Sequence, residues 1–344
     1  MSQAKRILSI LLIFQSVFIA GCPLEQQSEP ISDMRFMLST VCTITLYDTQ
    51  DRAILSEAFE LCAYYESLFS ISETGSDIWR INQAGGVPVE VSVHTLEIIK
   101  TALVFCELSD GMFDITIGRL SWLWDFTGQT GIPSESEVAD ALATVDYRQL
   151  RIVDNTVQLL NPETWLDLGG IAKGYIADRL ADFLREKGVT SAVVDLGGNV
   201  ITVGLKPKGA SWLIGIARPF SAREDLIGVL HTGEATVVTA GIYERQFVSD
   251  GELYHHILDP STGMPAQSNV VSATIVSTSS MEADALSTIF LLMGIDDGTG
   301  AIIEEQLREA YEYFKANIGL LGIIIIVDDG RIIKFGEFEF EEID

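Results

Sequence analysis

Basic residues are scarce in this chain: 22 Lys and Arg stand against 49 Asp and Glu in 344 residues, a formal charge of −27. A protein that grips phosphate backbones needs a basic face, so nucleic acid is excluded as a partner. The same deficit means that a phosphate-bearing ligand must be held by local devices, because the overall field repels it. Cysteine and histidine are also sparse, at four each. Cys42, Cys62 and Cys106 lie in apolar stretches with no C-x-x-C pair and no neighbouring His, which excludes a zinc cluster and reads as buried free thiols. One disulfide with a thiol left over is the alternative outside the cytoplasm. Neither P-loop spacing, nor a Rossmann fingerprint, nor a fixed repeat occurs. What is present is 47% hydrophobic residues with only 21% charged, enough to fill the core of one large or two ordinary domains and to exclude disorder for the whole chain.

At the start, Lys5 and Arg6 precede an apolar run over residues 7–20, too short to span a bilayer, that ends at Ile19-Ala20-Gly21-Cys22. A Cys directly after small residues, with an aliphatic at the third preceding position, resembles the lipobox of bacterial lipoproteins. That resemblance implies a signal peptide over 1–21 and a lipidated (palmitate-bearing) Cys22. The folded domain is then expected outside the cytoplasm, tethered on the periplasmic side of the inner membrane. An ordinary secretory signal is the alternative. Residues 22–34, polar around Pro30, are expected to be the lipidated Cys and its tether, with one folded domain over 35–344.

Alternation over 36–47 predicts a strand, and helical spacing predicts helices over 51–69, 93–108 behind a Ser92 N-cap, 172–186, 281–293 and 301–316. Strands are expected around 150–160, 193–205, 212–217, 227–231, 270–277 and 318–327, with a loop over 127–137 before a short helix. Strands and helices come in clusters without strict alternation, which favours an α+β class over a doubly wound parallel sheet.

Four clusters could carry chemistry. Asp167-Leu168-Gly169-Gly170-Ile171-Ala172-Lys173-Gly174 stands directly before a predicted helix. Its glycines free backbone groups to face a ligand, and a helix amino end beside Lys173 suits a phosphate; a tight strand-to-helix turn is the plainer alternative. Gly197-Gly198-Asn199 reads only as a turn or bulge. In the second cluster, Ser279 and Glu282 have capping-box spacing, placing Asp284 in the first helical turn and Thr288 one turn on. A carboxylate and a hydroxyl four apart are hard oxygen ligands suited to Mg²⁺; an acid placed for the helix dipole is the alternative. The third holds His255 and His256 before an Asp259-Pro260 turn. Adjacent side chains on a strand point to opposite faces, so at most one faces a site, where it can take a proton from a hydroxyl. The fourth, Asp110-Gly111-Met112-Phe113-Asp114-Ile115-Thr116, leads into Trp122, Trp124 and Phe126, which could stack on a flat ligand or fill a core. Tyr243-Glu244-Arg245 adds one of the few basic residues.

Taken in order, Gly111-x-Phe113-Asp114-x-Thr116, the Asp167 to Gly174 segment, Tyr243-Glu244-Arg245, the His255-His256-Ile257-Leu258-Asp259-Pro260-x-Thr262-Gly263 segment and Met281-Glu282-Ala283-Asp284-Ala285 resemble the ApbE family. Its members are FAD:protein FMN transferases, often lipoproteins, and some treponemal-type members are associated with FAD pyrophosphatase activity. The resemblance spans nearly the whole mature chain. It implies an α+β fold with FAD between two halves and Mg²⁺ at the pyrophosphate, held by the Gly170 carbonyl, Asp284 and Thr288. Leu38, Ser72, Gly111, Phe113, Asp114, Lys173, Tyr243 and Leu258 are expected around the flavin nucleotide. His256 and Asp284 are the candidate catalytic residues, His256 as the base for a Thr or Ser hydroxyl on a periplasmic or membrane acceptor flavoprotein, with AMP leaving. Water as attacker would make the same site an FAD pyrophosphatase; a non-catalytic flavin-binding lipoprotein is a third possibility, and the Asp284 and Thr288 pair speaks against it. Two departures stand out. Ser39 replaces a Gly common in the family, and Ser72 stands where a Tyr is frequent, a loss expected to loosen FAD binding or favour hydrolysis.

Overall fold

The computed structural model describes residues 29–128, 131–222, 224–294 and 304–343. Cys22 and the segment read as a signal peptide lie outside the described residues, as does the expected start of the helix at 301. The first alternating stretch is a hairpin rather than one strand: β1 (Ile31–Met37) pairs antiparallel with β2 (Thr40–Leu46). The break falls at Leu38 and Ser39, whose φ values of 53° and 57° are the two left-handed conformations that a tight hairpin turn demands. Ordered structure thus begins earlier than residue 35, because Ile31 is buried and pairs with Leu46.

Helix α1 (Arg52–Phe69) starts where the Asp51 carboxylate accepts the Ala53 N–H, and α2 (Asp77–Gln83) starts at the Ser76 cap. Strand β3 (Val89–Glu90) and helices α3 (Val93–Leu108), α4 (Gly118–Trp124) and α5 (Glu135–Leu142) follow, then the hairpin β4 (Leu150–Val153) and β5 (Thr156–Leu159). The glycine-rich turn enters α6 (Ala172–Glu186). After it come β6 (Ala192–Leu196), β7 (Asn199–Val203), β8 (Trp212–Ala217), β9 (Leu226–Thr232), β10 (Thr236–Gly241), β11 (Gln246–Ser249), β12 (Glu252–His255) and β13 (Val270–Ser277). The chain closes with α7 (Ser280–Met293), α8 (Glu304–Asn317), β14 (Leu320–Val327), β15 (Ile332–Gly336) and β16 (Glu339–Glu342).

Eight strands form one antiparallel sheet in the order β1-β2-β6-β7-β10-β13-β14-β15, and α1, α6 and α7 pack against it. With its helices clustered against an antiparallel sheet, the fold is α+β, as expected. Strand β13 is buried at every position, which fits its place in the interior of the sheet. The stretch expected as one strand over 193–205 is a hairpin, folded at Gly197 and Gly198 with φ of 70° and 93°. A β-carbon on Gly197 would stand 2.2 Å from Thr40 Oγ1, so this turn and the start of β2 touch. A second, smaller cluster surrounds Trp124, whose indole N–H donates to the Gly263 carbonyl at 2.9 Å. Cys42, Cys62 and Cys106 are buried and free, as expected of small apolar side chains.

Candidate active site

The glycine-rich turn is positioned from behind. Asn82, buried on α2, donates from its side-chain amide to the Leu166 carbonyl at 2.9 Å and accepts the Leu166 N–H at 2.7 Å. It thereby acts as a strand partner for the residue just before Asp167. The Asp167 carboxylate then accepts the Gly169 N–H at 2.8 Å, which tightens the turn into α6. No side chain of its own caps α6. The Asp284 carboxylate of α7 does so from across the helix crossing, accepting the Gly174 N–H at 2.9 Å, with Lys173 Nζ 3.5 Å away. Helix α7 begins at Ser280, so Asp284 lies in its second turn rather than the first. Its carboxylate therefore serves the amino end of the neighbouring helix and not its own dipole.

These elements wall a cleft of about 900 Å³, within the range of small-molecule sites. Gly170, Lys173, Asp284 and Thr288 lie together on one wall. A β-carbon on Gly170 would sit 3.0 Å from the Phe113 ring and 3.6 Å from Thr288 Oγ1, so the turn's main chain closes on that hydroxyl. Opposite in charge to the acids, Arg245 and Lys173 face the cleft, and both act on His256. Burial first, then the Arg245 charge, drive the His256 pKa down to about 3, so the imidazole is neutral around pH 7. Its Nδ1 has no hydrogen-bond partner among the described residues. The neighbouring His255 points away, its Nε2 held 3.1 Å from the Ala266 carbonyl oxygen, as the alternation argument requires.

Leu38, Ser72, Phe113, Asp114 and Leu258 also line the cleft. The Asp114 carboxylate is nonetheless turned inward, accepting from Thr116 N–H (2.8 Å), Thr116 Oγ1 (2.6 Å) and Tyr147 N–H (3.0 Å). Its role is to fix the Phe113 segment. Leu258 lies beyond the end of β12, joined by an isolated antiparallel bridge to Pro265 across the turn that starts at Asp259. Gly111 and Tyr243 do not reach the cleft wall. Gly111, at φ 81°, ends α3 by donating its N–H to the Cys106 carbonyl. The Tyr243 ring fills the space over Gly241, where a β-carbon would stand 2.4 Å from it, and packs edge-on against Phe220. Glu66 was missed by sequence reasoning: it lines the cleft and its carboxylate accepts the Leu38 N–H at 2.8 Å, holding the hairpin tip. Its only signal is an acid one turn beyond buried Cys62 on an otherwise apolar helix face.

The ApbE family model matches residues 38–312. The chain belongs to the ApbE family. It is 36% identical over 275 residues to a FAD:protein FMN transferase of Klebsiella pneumoniae, covering 78% of this chain and 84% of that protein. A Treponema pallidum protein of the same name is 31% identical over 342 residues, covering 92% and 94%. Among solved structures, the ApbE protein of Thermotoga maritima superposes with a TM-score of 0.79 at 34% identity, covering 89% of this chain and 96% of that one. The flavin transferase ApbE of Vibrio cholerae gives 0.75 at 28% identity, covering 89% and 96%. In this ApbE chain, the family's glycine-rich turn, the His256 segment and the Asp284 helix thus meet on a single cleft.

Proposed function

We propose that this ApbE protein transfers FMN from FAD to a Thr or Ser hydroxyl of an acceptor protein and releases AMP. The observation that carries the reading is the convergence of Gly170, Asp284, Thr288, Lys173, Arg245 and His256 on one cleft. A carbonyl, a carboxylate and a hydroxyl are hard oxygen donors, and no group of three or more His, Cys, Asp or Glu among the described residues could hold a metal alone. That set suits Mg²⁺, which completes its shell with water and phosphate oxygens; Gly170, Asp284 and Thr288 would hold it. Bound there, Mg²⁺ would withdraw charge from the pyrophosphate and make AMP a better leaving group.

The protein's own residues supply the rest. Lys173 and Arg245 offset the charge of the FAD pyrophosphate, a local answer to an acidic chain. Phe113 and Leu258 give the cleft apolar wall. His256 takes the acceptor hydroxyl proton as the oxygen attacks the FMN-side phosphorus. The new O–P bond forms, the P–O–P bond breaks, and AMP departs. A neighbouring pyrophosphate would raise the proton affinity of that imidazole, which burial and the Arg245 charge hold low.

The amino-terminal pattern of Lys5, Arg6 and Cys22 supports a lipid anchor on a bacterial membrane, with the acceptor flavoprotein in the periplasm or membrane; metabolic labelling with palmitate, lost in Cys22→Ala, tests it. For the activity, protein lacking residues 1–22 is mixed with FAD, Mg²⁺ and an acceptor bearing a flavinylation motif. Flavin fluorescence fixed to the acceptor in a denaturing gel is expected. Free FMN and AMP without a labelled acceptor would replace transfer by pyrophosphatase action, and no turnover of FAD would defeat both.

A further inference from the structure

Helices α6 and α7 each lend a carboxylate to the other's amino end. Asp284 of α7 accepts the Gly174 N–H of α6. In return Asp178, one turn farther along α6, receives three hydrogen bonds from the start of α7: Ser280 N–H at 2.8 Å, Met281 N–H at 3.0 Å and the Ser279 hydroxyl at 3.1 Å. Such amides have no partner inside their own helix, and an anion placed there also gains from the helix dipole. Ser279, the formal cap of α7, accepts only a long bond from Glu282 N–H at 3.4 Å. The crossing has no slack, since a β-carbon on Gly174 would stand 2.2 Å from the Ser280 carbonyl oxygen.

We propose that Asp178 is a positioning residue of the transfer reaction: it fixes the start of α7 on α6 and so sets where Asp284 and Thr288 meet Gly170. The inference rests on the metal reading above. Asp178 itself does not line the cleft and acts through the helix it holds. Asp284 and Thr288 follow the anchored residues by one and two turns of α7, so a slide or rotation of that helix moves both against the glycine turn, which belongs to α6. A misplacement of about 1 Å at such a site costs on the order of a hundredfold in rate. An amide at 178 keeps one acceptor oxygen but turns its own N–H toward a backbone N–H of α7, so Asn replaces the carboxylate only in part.

The test uses protein lacking residues 1–22 and Mn²⁺ as a spectroscopic probe, its binding followed by electron paramagnetic resonance in the presence of FAD. In Asp178→Ala the Mn²⁺ affinity is expected to fall by about tenfold or more, with a smaller loss in Asp178→Asn. The Mg²⁺ concentration for half-maximal turnover should rise in parallel, and excess Mg²⁺ should restore part of kcat. Asp51→Ala, which removes the cap of α1 away from the cleft, should lower stability and leave both readouts unchanged. Folded Asp178→Ala with wild-type Mn²⁺ affinity overturns the proposal; if that variant does not fold, Asp178→Asn decides by the same criterion. Absence of Mn²⁺ binding in the wild type would instead defeat the metal reading, and this inference with it.

Discussion

Asn82 and Leu166 are joined by two hydrogen bonds, of 2.9 and 2.7 Å, in which a side-chain amide takes the place of a neighbouring strand. Through this pair α2 holds the backbone that feeds the glycine-rich turn. Substituting Asn82→Ala orphans a buried N–H and a buried C=O at once, each costing about 1–3 kcal/mol. A loss of roughly 2–6 kcal/mol in urea unfolding is expected, together with weaker FAD binding by fluorescence titration. Retained stability with intact FAD affinity would remove Asn82 from the support of the site.

Gly174 lies where α6 presses directly on the backbone at the start of α7. Gly174→Ala places a methyl 2.2 Å from the Ser280 carbonyl oxygen, which the backbone on either side cannot yield without moving a helix. We expect a destabilisation of about 1–3 kcal/mol or more from overpacking and a loss of turnover larger than stability alone explains. Calorimetry and AMP release measured on the same preparation separate the two.

Asp284→Ala removes the carboxylate that serves both the Gly174 amide and the proposed cation. AMP release should fall by about a hundredfold or more, and the remaining rate should no longer respond to added Mg²⁺. A variant whose rate still rises with Mg²⁺ as the wild type does would take Asp284 out of the metal set.

His256 gives a pH dependence of defined sign. In the unfolded chain it takes up a proton near 6.5, and in the folded protein only near 3, because burial and Arg245 oppose the charge. Below 6.5 the unfolded state therefore binds more protons. The stability linked to His256 is fully present above 6.5 and is lost progressively as pH falls from 6.5 toward 3. Guanidinium unfolding at about pH 7.5 and about pH 5 should show a larger acid loss in the wild type than in His256→Gln. Equal losses in both would contradict the burial of this imidazole.

The thiols of Cys42, Cys62 and Cys106 are free and buried, and burial pushes Cys106 up to about 12. A thiol reagent at neutral pH should leave native protein lacking residues 1–22 almost unmodified and titrate all three after denaturation. Rapid modification of the native protein, or fewer thiols after denaturation, would show exposure or a disulfide.

Elements with a long periodic face were readable in the sequence. Helices α1, α3, α6 and α7 were expected to within a residue of their observed ends, because each alternates apolar positions at helical spacing behind a Ser or Asp start or a glycine turn. The short elements α2, α4, β3 and β11 were not, since a stretch of one or two turns or a few strand residues carries too little pattern to stand out. The hairpin break at Leu38 and Ser39 was also missed: neither is a residue that ordinarily signals a left-handed turn, and Glu66 stabilises the tip from another helix.

The charge deficit, the ordered motifs and the helical spacing of Asp284 and Thr288 were determined by the sequence alone, because they depend only on residue type and local periodicity. The family assignment rests on the same local order. Which of two adjacent histidines faces the cleft, that Asp114 spends its carboxylate inward, that Tyr243 stays out of the wall, and that Asp178 and Asp284 exchange caps between two helices were decided by tertiary structure. Each depends on a partner far away in the chain, such as Tyr147 for Asp114 or Ser280 for Asp178, and no local pattern encodes that meeting.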